Sequence, residues 1–136
     1  MTKLKYAFKY LKAGKYKRPL IPIILEYKNK QIPVLSLVDS GADFNVFHAD
    51  IAPLLGIDIT KLSKMHFGGI KKDEKQCTGY LATINLVIGN DCFDSAALFS
   101  SDISDSGYGV LGQSGFFDHF RVTLDYKTDN IYLKRS

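Results

Sequence analysis

The sequence predicts an all-β domain carrying one or two short helices. Short runs rich in Val, Ile, Leu, Phe and Tyr recur along the chain, and Gly, Asn, Asp and Ser punctuate them. No internal repeat is evident, and 136 residues with 46% hydrophobic content suit one domain around one buried core.

The pattern places strands at residues 20–27, 31–38, 63–67, 80–88, 92–99, 120–125 and 131–134. Lys28-Asn29-Lys30, Gly89-Asn90-Asp91 and residues 126–130 have the composition of hairpin turns. A short helix is expected over residues 50–55, ended by Gly56 as a left-handed cap, and Ser114 is placed to cap a second helical turn running through Phe117 to Asp118. Residues 100–109, SSDISDSGYG, form the one low-complexity stretch, which is expected to be a surface loop.

Charge is distributed unevenly. The net charge is +4, yet Lys3, Lys5, Lys9, Lys12, Lys15, Lys17 and Arg18 all fall in the first 18 residues, where there is no acid. The remainder, with 11 bases against 14 acids, is mildly acidic. Residues 1–17 are therefore expected to be a basic, solvated, flexible leader, and residues 18–136 the folded domain. Tyr6, Tyr10 and Tyr16 lie among those lysines, but most other aromatics fall in strands as core, so nucleic acid is not expected as a partner. The leader lacks the apolar region and cleavage site of a secretory signal, and no apolar run is long enough to span a bilayer, which makes a cytoplasmic protein the expectation. Cys77 and Cys92 read as free thiols, and His48, His66 and His119 lie apart without metal-ligand spacing, so neither metal nor cofactor is expected.

The chemistry is concentrated in residues 35–47, LSLVDSGADFNVF. A run that is apolar but for Ser36 ends abruptly in an acid, Asp39, followed by Ser40, Gly41, Ala42 and Asp43, and then resumes at Val46 and Phe47. This describes a tight loop with a carboxylate at the edge of the core. Gly41 permits close backbone approach or a positive φ, Ser40 offers a hydroxyl to brace the loop, and Ala42 leaves room beside it.

Asp39-Ser40-Gly41-Ala42 resembles the Asp-Thr/Ser-Gly-Ala/Thr signature of the aspartic proteases, and Asp43 extends the likeness to the retroviral, retropepsin-like subgroup. Val110-Leu111-Gly112 resembles that family's second landmark, an apolar pair and a glycine on a strand beside the catalytic loop. Phe67-Gly68-Gly69-Ile70 is similar to the flap hairpin that closes over substrate. Arg18-Pro19-Leu20 resembles the start of retroviral protease chains, where the arginine pairs with the last acid of the signature in the other subunit, here Asp43. One residue departs from the pattern: Gln113 stands where retroviral enzymes carry an arginine that supports that acid.

The resemblance implies a closed, barrel-like acid protease lobe in which Asp39 is catalytic. Ser40, Gly41, Ala42 and Asp43 would brace the loop and bind substrate backbone. Hydrolysis in this family needs two carboxylates sharing one proton, one as base toward water and one as acid toward the carbonyl. The chain has one such loop, because Asp105-Ser106-Gly107 lacks both the apolar strand before it and the Ala or Thr behind it. A homodimer acting on an extended peptide or protein is therefore expected. The alternative is an inactive retropepsin-fold module for peptide binding or dimerisation.

Overall fold

The computed structural model describes residues 3–11, 14–68, 76–104 and 107–136. Six strands close a barrel: β4 (Leu20–Tyr27), β5 (Lys30–Val38), β10 (Gly109–Leu111), β6 (Asn45–His48), β9 (Asp91–Ser100) and β8 (Cys77–Ile88), with β8 returning to pair with β4. Neighbours are antiparallel except at β10–β5 and β6–β9, which run parallel. The long β8 serves two neighbours along one edge: Cys77 to Leu81 pair with β7 (Ser63–Phe67), and Asn85 to Val87 pair with β4.

Alternation explains the closure. In β4 the burial of Ile21, Ile23 and Leu25, each at most 2% exposed, and in β8 that of Ile84, Leu86 and Ile88 put one side of each strand into a common core. Phe47, Phe99 and Phe116 are fully buried in the same core, and each such side chain contributes roughly 1.5–3 kcal/mol through removal from water.

The seven strands expected from the sequence are present, four of them longer than expected: β5 by one residue, β9 and the last strand, β12 (Asn130–Arg135), by one at each end, and β8 by three, since it begins at Cys77. The alternation rule misses β6 and β10, which are only four and three residues long. The helix expected over residues 50–55 is α1 (Ile51–Leu54), and Gly56 follows it at φ +78°. The second helix does not form. Residues 113–119 are turns, Ser114 makes a β-bridge with Phe44, and it is Asp118 that caps, its Oδ1 accepting from Gly115 N at 3.0 Å. A 3-10 turn that the sequence pattern does not predict spans Ile59–Lys61, with Asp58 accepting from Thr60 N.

The leader also differs from expectation. Lys3–Ala7 is a strand, β1, paired antiparallel with β12, which also pairs with β11 (Phe120–Asp125) in a three-stranded sheet. β2 (Lys9–Leu11) and β3 (Tyr16–Arg18) form a separate hairpin. The physical reason is visible in the sequence: Leu4, Tyr6 and Phe8 alternate with Lys3, Lys5 and Lys9, so the apolar side packs on the barrel core while the lysines face outward. High charge density concealed a period-two pattern. Among the described residues, no helix is long and apolar enough to cross a membrane.

Candidate active site

The site is built where two parallel strands end. β5 pairs with β10 through Ser36↔Gly109, Leu37↔Val110 and Val38↔Leu111, and the ladder continues one residue further because Asp39 N donates to Leu111 O at 3.0 Å. The chain then reverses. Ala42 N donates to Asp39 O at 3.1 Å, and Gly41 N donates to the Asp39 carboxylate, Oδ1, at 2.9 Å. Gly41 is not in the left-handed region. What its missing side chain provides is clearance, since a Cβ there would stand 3.2 Å from Asp39 Oδ1.

The second landmark clamps the loop from the other side. Gln113 N donates to Ala42 O at 2.8 Å, Ser114 N to Asp43 O at 2.9 Å, and the Gln113 side-chain amide to Ser40 O at 2.8 Å. The departure from arginine to glutamine therefore leaves the loop supported, through a backbone carbonyl rather than an acid. Beneath lies Asn45, fully buried, which accepts from Gly112 N at 2.9 Å and donates to Ser95 Oγ at 2.8 Å; Ser95 Oγ in turn reaches Gly115 O at 3.1 Å. Gly112 must be glycine, because a Cβ would stand 2.7 Å from Phe44 C and 2.8 Å from Ala42 O, both backbone atoms.

Above the loop is a cleft of about 320 Å³ lined by Asp39, Gly41, Ala42 and Asp43 together with Phe67, Gly68 and Val110. Its remaining walls are Phe44, Val46, Leu98 and Ile103, so a half-buried carboxylate faces a largely apolar slot. The β7–β8 hairpin covers one side. Its return strand is tied to the loop after β9: Thr78 N donates to Asp102 Oδ2 at 2.8 Å, Ser100 Oγ to Thr78 O at 2.5 Å, and Asp102 N to Ser100 Oγ at 3.1 Å. These bonds explain how Ile103, in a stretch read as plain surface loop, comes to line the cleft.

The structure thus brings Asp39, Gly41, Ala42, Asp43, Phe67, Gly68 and Val110 to one cleft. Ser40 is exposed and contributes its carbonyl to the brace, Leu111 is buried behind the loop, and Gly112 sits inside the brace. Gly69 and Ile70, also expected in the flap, lie outside the described residues. Sequence reasoning missed Asn45 and Ser95, polar side chains inside apolar strands, which are the one signal that could have marked them. The histidines lie apart: His48 Nδ1 accepts from Asp50 N, His66 neighbours Thr78, and His119 stacks on Phe93. Among the described residues no three His, Cys, Asp or Glu side chains gather to hold a metal ion.

No family model and no curated protein matches the chain. Solved structures do. A retropepsin-like aspartic protease from Rickettsia conorii superposes with a TM-score of 0.64 at 21% identity, over 97% of this chain and 91% of that one. The retroviral protease-like domain of Ddi1 from Leishmania major superposes with a TM-score of 0.51 at 13% identity, over 90% of this chain and 96% of that one. Six strands closed into a barrel, with the Asp39 loop held by Leu111, Gln113 and Ser114 where β5 and β10 end, give this chain the retropepsin-like fold.

Proposed function

We propose that the chain is an aspartic endopeptidase that works as a homodimer, with Asp39 of each copy supplying half of a catalytic dyad. The observation that carries this reading is the placement of Asp39: a carboxylate fixed by Gly41 N at the floor of an apolar cleft, on a loop held rigid from beneath. Among the described residues one chain offers one such carboxylate, and the reaction needs two.

In the dyad, the ionised carboxylate takes a proton from water as the water oxygen attacks the peptide carbonyl carbon. The other carboxyl gives its proton to the carbonyl oxygen. Collapse of the resulting gem-diol breaks the C–N bond and delivers a proton to the leaving nitrogen. Like charges at such short range cannot both ionise comfortably, so the pair titrates as a unit and the rate follows a bell-shaped pH profile. The apolar walls at Val46, Phe67, Leu98, Ile103 and Val110 accept apolar side chains of an extended peptide. Asp43, exposed at the cleft rim, orients the peptide main chain or meets the partner subunit. The β7–β8 hairpin closes over the bound peptide and excludes water.

The test is Asp39→Asn, assayed on a panel of unstructured peptides at several pH values. Cleavage falls by more than about a thousandfold while the unfolding midpoint and oligomeric state are retained. Undiminished cleavage in that variant would overturn the proposal.

A further inference from the structure

The outward face of the β1–β12–β11 sheet takes no part in the proposed hydrolysis, and its composition is unusual. In the antiparallel register Lys3, Lys134 and Arg121 stand opposite one another across the three strands, and Lys5, Tyr132 and Thr123 form the next row. The alternate positions, Leu4, Leu133, Ile131 and Val122, turn inward to the core. Lys3, Lys5, Arg121 and Lys134 are all exposed, and none is in an ion pair among the described residues. The acid on this face, Asp125, already accepts from Lys127 N and Thr128 N.

Like charges set directly opposite one another across a ladder oppose strand pairing. The row therefore works against the stability of its own sheet, and an anion laid across it would relieve that repulsion. Lys3 and Lys5 are about 7 Å apart along their strand, and the Tyr132 ring, opposite Lys5, reaches under Lys3, whose Nζ is 4.7 Å from its centroid. The face offers no large apolar side chain to enter a bilayer. It does offer cations around an aromatic plane, the combination that tracks a phosphate backbone and stacks bases.

We propose that this face binds single-stranded nucleic acid, with phosphates against Lys3, Lys5, Lys134 and Arg121 and a base against Tyr132. The sequence alone gives no such expectation, because Arg121 and Lys134 join the leader lysines only through the strand register. Binding does not depend on the Asp39 reading.

The experiment is fluorescence anisotropy of the full chain with a labelled oligothymidylate of about twenty nucleotides, titrated between about 50 and 200 mM salt. The comparison protein is a triple variant, Lys5→Glu, Arg121→Glu and Lys134→Glu, whose exposed positions leave the core untouched. The unmodified chain binds with an affinity that falls steeply with salt. The triple variant, with an unfolding midpoint no lower than that of the unmodified chain, binds at least about tenfold more weakly, and its slope of log affinity against log salt is shallower by about two. No binding at the lowest salt, or an identical slope in the triple variant, overturns the proposal. So does tighter binding to phosphatidylserine vesicles than to the oligonucleotide, which assigns the face to a lipid surface instead.

Discussion

The Asp39 loop and the N-terminal hairpin are both fastened by residues far away in the sequence, but with opposite chemistry. The loop is held by neutral groups, Gly112 N to Asn45, Asn45 to Ser95, and Gln113 to Ser40 O, partly in full burial. The β2–β3 hairpin is held by charge: Lys17 Nζ donates to Asp129 Oδ1 at 2.5 Å and to Tyr126 O, and Tyr10 OH donates to Asp129 Oδ2. Phe8 packs on Tyr126 with ring centroids 4.8 Å apart, and Phe8 N donates to Asp129 O. In the proposed dyad the carboxylates would change protonation during turnover, and such a pair gains from a scaffold that does not titrate with it. Amides and hydroxyls satisfy that requirement, whereas a partly exposed ion pair such as Lys17–Asp129 responds to both pH and salt.

The comparison can be broken or sharpened by substitution, starting with the largest effect. Gly112→Ala forces a methyl group against the Ala42 and Phe44 backbone and is expected to cost about 3 kcal/mol, read from denaturant unfolding. Asn45→Ala strips Gly112 N of its buried acceptor and Ser95 of its donor, for an expected loss of about 2–3 kcal/mol. That loss should be the same at neutral and acidic pH. A cost that varies with pH would show that the loop scaffold is not as neutral as the geometry requires.

Gln113→Ala removes one exposed hydrogen bond and is expected to cost about 0.5–1.5 kcal/mol. Because the lost bond positions the Asp39 loop rather than the peptide, kcat for peptide cleavage falls more than KM changes. The reverse split would assign Gln113 to substrate binding.

Asp129→Asn has the smallest expected effect and the clearest signature. Hydrogen bonds from Lys17 and Tyr10 hold the Asp129 carboxyl below its ordinary range. Its contribution is therefore fully present above the unfolded value of about 3.9 and is lost as pH falls through the lower folded value. The stability difference between the chain and this variant is expected to be constant near neutrality, to vanish in strong acid and to shrink with salt. Amide exchange across Lys9–Leu11 and Tyr16–Arg18 locates it. A difference that persists in strong acid would contradict the charge-held hairpin.

Much of the fold was legible because β4, β5, β8 and β9 of the barrel, and β11 and β12 beside it, are long enough for alternation to show. β6 and β10 were not, since strands of four and three residues are defined by their partners rather than by their own periodicity. In β1 the apolar alternation was present but masked by lysines, and only the pairing with β12 makes it a sheet. The loop from Asp39 to Asp43 stood out because an acid interrupting an apolar run is chemically conspicuous. Asn45 and Ser95 showed only as polar residues inside apolar strands, which does not reveal that they connect Gly112 N with Gly115 O. Gln113 stands where the pattern has an arginine holding the signature acid, so that support is expected to be missing or to come from elsewhere; its side chain holds the Ser40 carbonyl instead.

Stoichiometry of a statine-type transition-state inhibitor, titrated against purified chain by calorimetry, tests the shared dyad most directly. Saturation at one inhibitor per two chains, with loss of binding in Asp39→Asn, is the result the two-copy site predicts. Saturation at one inhibitor per chain, or binding indifferent to Asp39, would contradict it.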